Sequence, residues 1–384
     1  MYRFPVYQPS LRGNERKYLN DCIDTNWLTW QGQYVRRFEK KFANYIGVEY
    51  SSTTSNGTVA LHLALLALGV GIDDEVIVPT LTYIASANAV VYCGAKPVFC
   101  DVDPVTWQLD PLEVRKKITP HTKAIMAVHV YGHPCEMDEL KDIAIEFNLA
   151  IVEDCAESFG SKFKGRYTGT IGDIGVFSFF GNKTITTGEG GMVVTNKKTL
   201  IDRVNLLKGQ GLARHREYWH EVIGFNYRMT NIAAAIGLAQ LERADEILEK
   251  KQQIARWYLD LLADLPLSFQ LETGDVLHSY WMFSILTDDA KSRDLLRHYL
   301  KSNGIETRPV FHPIHTMPMY CDNFQQLKIA EDIGWRGINL PSYPDLTEED
   351  VNEISKIIHQ YYKQYKWNLT FTTSKVQDGK PHLI

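Results

Sequence analysis

Four short apolar runs constrain this chain more than any other feature. They are "EVIVPT" (75–80), "PVFCDV" (97–102), "AIMAVHV" (124–130) and "LAIVED" (149–154), all rich in β-branched residues. None alternates polar with apolar, so each reads as a strand buried on both faces. Between and before them, "TVALHLALLALG" (58–69) and "EMDELKDIAIEFN" (136–148) carry helical spacing, and Gly69 offers a C-terminal stop. Strands alternating with helices predict parallel βαβ units, an α/β fold with a mostly parallel sheet covered by helices. Further strands are expected at "GVFSFF" (175–180) and "GMVVTN" (191–196).

Beyond residue 197 the pattern turns helical. "MTNIAAAIGLAQLERADEILEKKQQIARWYLDLL" (229–262) is one long amphipathic stretch able to join a large domain to a smaller one. "HSYWMFSIL", "IETRPVF" and "EDVNEISKIIHQYYKQY" then read as a small α+β domain. The expected division is 1–245 for a large cofactor-binding α/β domain with an N-terminal arm, 246–365 for the small domain, and 366–384 for a weakly periodic extension. With 384 residues the chain has room for such an arrangement. A net charge of -5 gives no reason to expect nucleic acid or a membrane surface as partner. No run of 18 apolar residues and no leader-like start is present, which points to the cytoplasm. The six cysteines are scattered without a C-x-x-C pair, as in a reducing compartment.

The segment "FSFFGNKTITTGEGG" (177–191) places Lys183 where a buried strand meets a glycine-rich turn. A phosphate-binding G-x-x-x-x-G-K-[ST] loop does not fit, because Asn182 separates Gly181 from Lys183 and Phe180 stands five residues after Gly175. Alone, such a lysine is most simply a snorkelling surface group. Two other features change that reading. Asp154 ends an apolar strand, at the carboxyl edge where open parallel sheets bind ligands. Ser55, Asn56, Gly57 and Thr58 stand at a helix start, whose free N–H groups suit a phosphate. An amine, an acid and a phosphate anchor are what pyridoxal phosphate requires.

On these residues, and on "NGTVALHLALLALG", "EVIVPTLTYIASANAV", "FSFFGNKTITTGEGGMVVTN" and "GFNYRMTNIAAAIGLAQLE", the chain resembles the fold-type I pyridoxal phosphate enzymes that aminate sugar nucleotides. The likeness runs from "PVYQPSLRGNE" to "GWRGINLPSYP". It implies that Lys183 binds the cofactor covalently and moves the proton in transamination. Asp154 would pair with the pyridine nitrogen and Glu157 would lie near the ring hydroxyl. Ser178, Gly57 and Thr58 would hold the phosphate and Tyr83 would stack on the ring. Asn226 and Arg228 would reach the phosphate of a neighbouring subunit, making a homodimer with shared sites.

The resemblance also implies a substrate. L-glutamate would leave as 2-oxoglutarate, its nitrogen carried by pyridoxamine phosphate to C4 of a GDP-linked 4-keto-6-deoxy sugar, for a surface polysaccharide such as an O-antigen. Trp27, Arg308, His312 and His315 are the residues expected to line the sugar-nucleotide cleft, with His312 where close relatives are expected to carry tyrosine. A UDP- or dTDP-linked sugar, or amination at C3, is the nearest alternative. Relatives that dehydrate the keto-sugar carry histidine at the lysine position, so Lys183 argues for aminotransfer. A non-catalytic regulator would want a broken cofactor set or a DNA-binding module, and neither is visible. His129, His133 and Cys135 in "VHVYGHPC", and the pair in "HPIH", lack the spacing of a metal site, so none is expected.

Overall fold

A computed structural model describes residues 2–213, 215–321 and 325–376. The chain forms β1 (Tyr50–Thr54), β2 (Glu75–Pro79), β3 (Lys96–Cys100), β4 (Thr122–Val128) and β5 (Ala150–Asp154). A short hairpin of β6 (Lys162–Phe163) and β7 (Arg166–Tyr167) precedes β8 (Ile174–Ser178) and β9 (Gly191–Thr195). One seven-stranded sheet has the order β1-β9-β8-β5-β4-β2-β3. Only β9 runs against the other six, pairing antiparallel with both β8 and β1.

The apolar runs are explained by what each face meets. Val76, Val78, Ala124, Met126, Val128, Val152 and Val176 enter one core with the helix Gly57–Ala67. The alternate residues Ile77, Ile125, Ala127 and Ile151 enter another with the helix Met137–Phe147. Both faces are therefore buried, and no polar alternation survives in the sequence. Gly69 does end its helix, in the left-handed conformation at φ +79°.

The structure differs from the sequence reading in two places. The strand β1 is absent from the sequence reading because "YSSTT" is polar. It is accommodated because its buried hydroxyls find partners: Ser52 Oγ with Asn205 Oδ1 at 2.7 Å, and Thr53 Oγ1 with Glu39 Oε1 at 2.8 Å. The stretch 229–262 is two helices, Asn231–Leu241 and Ala244–Leu262, separated at Glu242 and Arg243. The last helix spans Glu348–Val376 and so runs into the segment 366–384 expected as a weakly periodic extension, of which 377–384 lie outside the described residues.

A second sheet forms from β10 (Ser268–Phe269), β12 (Phe283–Leu286), β13 (Arg308–Pro309) and β14 (Gly337–Leu340), in the order β10-β12-β14-β13, while β11 (Val276–Leu277) pairs with β6. Its core joins Ile254, Tyr258 and Leu262 to Phe283, Ile285, Ile338, Leu340, Ile354 and Ile358.

At the end of β5 the period of two sends Glu153 and Asp154 to opposite faces. Glu153 is fully buried and accepts from the N–H groups of Gly169 (2.7 Å), Ile171 (2.7 Å) and Gly172 (2.5 Å). His129 Nε2 lies 3.1 Å from Oε2, the oxygen that also accepts from Gly169 N. This carboxylate thus ties β5 to the segment leading into β8. Glu153→Ala would strand three buried donors and an imidazole, and is expected to destabilise the protein by roughly 3–5 kcal/mol. A urea titration checks this, with a midpoint near the parent's counting against it.

Candidate active site

Asp154 faces the side of the sheet where the helix Gly57–Ala67 begins, as does Ser178 at the end of β8. The two strands and the helix start together form the floor of a cavity of about 530 Å³. Gly57, Thr58, Tyr83, Asp154, Glu157, Ser178 and Lys183 all line it. Gly57 sits so close to β8 that a Cβ there would stand 2.8 Å from the Cβ of Ser178, so only glycine lets the helix start approach. Asn56 caps that helix, accepting from Val59 N at 3.0 Å.

Lys183 Nζ lies 3.7 Å from Glu157 Oε1 and 3.8 Å from the centroid of the Trp281 indole. Burial pushes its pKa down, against the pull of Glu157 and Asp154. Asp154 accepts from Ser86 Oγ at 2.8 Å and from Ala156 N at 3.1 Å, and burial raises its pKa against those bonds. Glu157 accepts from Tyr131 N at 2.8 Å. Burial pushes the Glu157 carboxyl up to about 7, although Lys183 opposes it. The buried Asn182 Oδ1, on the same cavity, has no hydrogen-bond partner among the described residues.

An aromatic wall closes one side. The Tyr131 ring stacks on Trp281 (6.0 Å between centroids) and on Phe311 (5.2 Å). Tyr131 takes φ +59°, an uncommon conformation for a tyrosine, and its hydroxyl accepts from Phe311 N at 2.8 Å. Trp281, Phe311, Ser86 and Asn182 are absent from the sequence-based site. Ser86, Asn182 and Phe311 lie inside motifs read for other residues, whereas nothing local in "HSYWMFSIL" marks Trp281.

The remaining site residues lie elsewhere in this chain. Trp27 and Arg228 line a separate groove of about 990 Å³, where the Arg228 guanidinium lies 4.6 Å from the Trp30 ring centroid. Asn226 Oδ1 accepts from Arg228 Nη2 at 3.3 Å. Arg308 pairs with Glu306 at 2.7 Å on an exposed edge. His312 packs against Trp335 with ring centroids 4.8 Å apart. His315 is buried, with Nδ1 at 2.7 Å from Thr80 Oγ1 and Nε2 at 3.1 Å from Glu331 Oε1, so both ring nitrogens are occupied. None of the four residues expected at the sugar lines the Lys183 cavity within one chain. Instead, Phe311 beside His312 does.

His129, Glu153 and Cys155 offer donor atoms within 4.8 Å of one another. His129 Nδ1 accepts from Cys135 N at 2.9 Å while Glu153 holds Nε2, so this cluster serves as a hydrogen-bonded strut. His133, close by, directs Nδ1 at Pro134 O, 2.7 Å away.

A buried amine held between carboxyl groups beside a helix start defines a site for amine chemistry on an anionic ligand. Residues 9–359 match the DegT/DnrJ/EryC1/StrS aminotransferase family, and the chain belongs to it. It is an aminotransferase, and pyridoxal phosphate is its cofactor. It is 59% identical to a GDP-perosamine synthase of Escherichia coli O157:H7, over 94% of this chain and 99% of that protein. A GDP-perosamine synthase of Vibrio cholerae is 49% identical over 93% of this chain and 99% of its own. Among solved structures, the aminotransferase TlmJ from Streptoalloteichus hindustanus superposes with a TM-score of 0.90 at 30% identity, over 94% of this chain and all 100% of that one.

The raised pKa of Glu157 makes stability depend on pH. The folded protein holds that proton more tightly than the unfolded chain, where the carboxyl has its ordinary value of 4.5. The contribution is therefore complete below about pH 4.5 and is lost as pH rises through about 7. In cofactor-free protein, Glu157→Gln should flatten the decline in melting temperature over this interval. An equally steep decline in the variant would contradict the assignment.

Proposed function

We propose that this chain transfers an amino group from L-glutamate to C4 of GDP-4-keto-6-deoxy-mannose, giving GDP-perosamine. The names of the relatives at 59% and 49% identity support the acceptor. The observation that carries the chemistry is the buried Lys183 amine, 3.7 Å from Glu157 in the cavity that Asp154 shares.

The residues fit pyridoxal phosphate. Lys183 offers the amine for its aldehyde and Asp154 a fixed acid for the pyridine nitrogen. Gly57, Thr58 and Ser178 offer the helix start for its phosphate, Tyr83 an aromatic face, and Glu157 a partner for the ring hydroxyl. The unpartnered Asn182 Oδ1 leaves an acceptor free for a ligand donor. When bound, the cofactor supplies an electron sink for the carbon that loses its proton. The protein does the rest. Lys183 Nζ takes that proton and returns it on the other side of the transfer, and burial favours the neutral amine that this requires. Ser86 and Ala156 N hold Asp154 in one orientation, and Trp281 and Phe311, backed by Tyr131, wall one side of the cavity.

Asn226 and Arg228 would complete the phosphate site of a second copy, so the working unit is a homodimer. The groove that also holds Trp27 then belongs to the subunit interface. Residues 1–245 make the cofactor-binding domain and 246–365 the smaller one, with 366–384 as an extension. Among the described residues no helix is long and apolar enough to cross a membrane, and the proposed setting is the cytoplasm.

The test converts the purified holoenzyme to its amine form with glutamate, then adds GDP-, UDP- and dTDP-linked 4-keto-6-deoxy sugars one at a time. Recovery of the aldehyde absorbance with the GDP-mannose derivative alone is expected, with NMR showing nitrogen at C4. Recovery with another sugar, or nitrogen at C3, would overturn the acceptor and leave the chemistry standing. Lys183→Ala should lower turnover by at least about 10³-fold while the fold persists. Substantial turnover by that variant without added amine would remove Lys183 from its role.

A further inference from the structure

The turn that carries Lys183 is gripped from outside the seven-stranded sheet. Lys183 N donates to Phe180 O at 2.9 Å, which closes the turn. Its two adjacent carbonyls then accept from side chains. Asn182 O receives the Trp281 Nε1–H at 2.7 Å, and Lys183 O receives the Tyr7 hydroxyl. Trp281 lies just before β12, and Tyr7 lies in the N-terminal arm, remote in sequence from the turn.

Both donors are themselves held. Trp281 is buried against Tyr131 and Phe311, and the face of the same indole lies under Lys183 Nζ. Tyr7 packs between the core of the second sheet and the Tyr131 cluster. Burial raises its pKa far above the ordinary tyrosine value, so it remains an O–H donor. The arm around it is stitched to C-terminal segments. Phe4 N donates to Gly304 O, Glu306 N to Phe4 O, Val6 N to Glu306 Oε2 and Ser342 N to Val6 O. Lys251 Nζ lies 5.6 Å from the Tyr7 ring centroid and donates to Ser342 O at 2.6 Å.

We infer that Tyr7 and Trp281 are positioning residues for the catalytic lysine, acting as a two-point clamp on adjacent carbonyls of its turn. The inference rests on the reading of Lys183 as the group that moves the proton. The large sheet brings the turn to the cavity. The arm and the second-sheet region fix where along that turn the amine points. Loss of one such hydrogen bond weakens the hold about fivefold, and a shift of about 1 Å in a reacting group can cost about 10²-fold in rate.

Tyr7→Phe in the full chain is the decisive test, since it keeps the ring and removes only the donor, and Trp281→Phe accompanies it, removing the second donor together with part of a buried ring. Hydrogen exchange across 180–188 is followed in cofactor-free protein, and kcat and KM for glutamate in holoenzyme. Exchange in that segment should rise about five- to tenfold in each variant. The kcat should fall about tenfold or more, with KM within about twofold and, in Tyr7→Phe, only a small drop in the unfolding midpoint, as one lost hydrogen bond gives. Unchanged exchange, or faster exchange with unchanged kcat, overturns the clamp. A rise in exchange across the whole molecule with a large drop in the unfolding midpoint of Tyr7→Phe also overturns it, because the two residues would then be general struts. The exchange measurement needs no turnover. Failure of the aminotransfer reading would therefore appear separately, as an inactive parent enzyme.

Discussion

A strand buried on both faces can present chemistry only at its end, and this constraint shapes the site. Along β5 and β8 the apolar side chains enter the cores, Val152, Ile174 and Val176 on one face and Ile151 and Phe177 on the other. The first polar groups that can meet a ligand are Asp154 and Ser178, on the last residue of each strand. Because the side-chain period is two, both face the helix that starts at Gly57, while Glu153 faces away. One register thus sets two carboxylates side by side in sequence to opposite tasks. Glu153 is consumed by three backbone N–H groups, whereas Asp154 keeps an oxygen held by Ser86 beside the cavity.

Burial governs the electrostatics in the same way. A lysine amine and two carboxyl groups share a volume from which water is largely withdrawn. Each is pushed towards its neutral form, and their mutual attraction only partly opposes this. A lysine with a lowered pKa is a consequence of that balance. It requires a rigid wall, because a mobile one would admit water and restore the ordinary ammonium. The stacked rings of Tyr131, Trp281 and Phe311 supply that rigidity from three separate parts of the chain.

Much of the cavity was legible in the sequence because its residues sit at strand ends and helix starts, and periodicity locates those. Lys183, Asp154, Gly57 and Thr58 are of this kind, whereas Ser178, inside the run 175–180 expected as a strand, is singled out only by the family resemblance. Trp281 and Phe311 were not legible, since an aromatic in an apolar run has the same local signature in a core as on a cavity wall. The histidines of "FHPIH" do not line the Lys183 cavity within one chain. They carry chemistry-bearing side chains in a loop, but His315 spends both nitrogens on Thr80 and Glu331. The polar strand β1 leaves no apolar trace because its hydroxyls are satisfied by Asn205 and Glu39, partners on other elements.

The sequence by itself determined the α/β alternation, the buried parallel strands, and the set of an amine, an acid and a helix start, Lys183, Asp154 and Gly57, at their ends. These follow from local periods and from residue types whose chemistry is intrinsic. Only the tertiary structure decided which aromatic faces the amine, that Tyr7 and Trp281 reach the two carbonyls beside it, and that Trp27 and Arg228 share a different groove. Contacts between segments about 100 to 180 residues apart leave no periodic trace, because a side chain's neighbours across the fold are set by how whole elements pack.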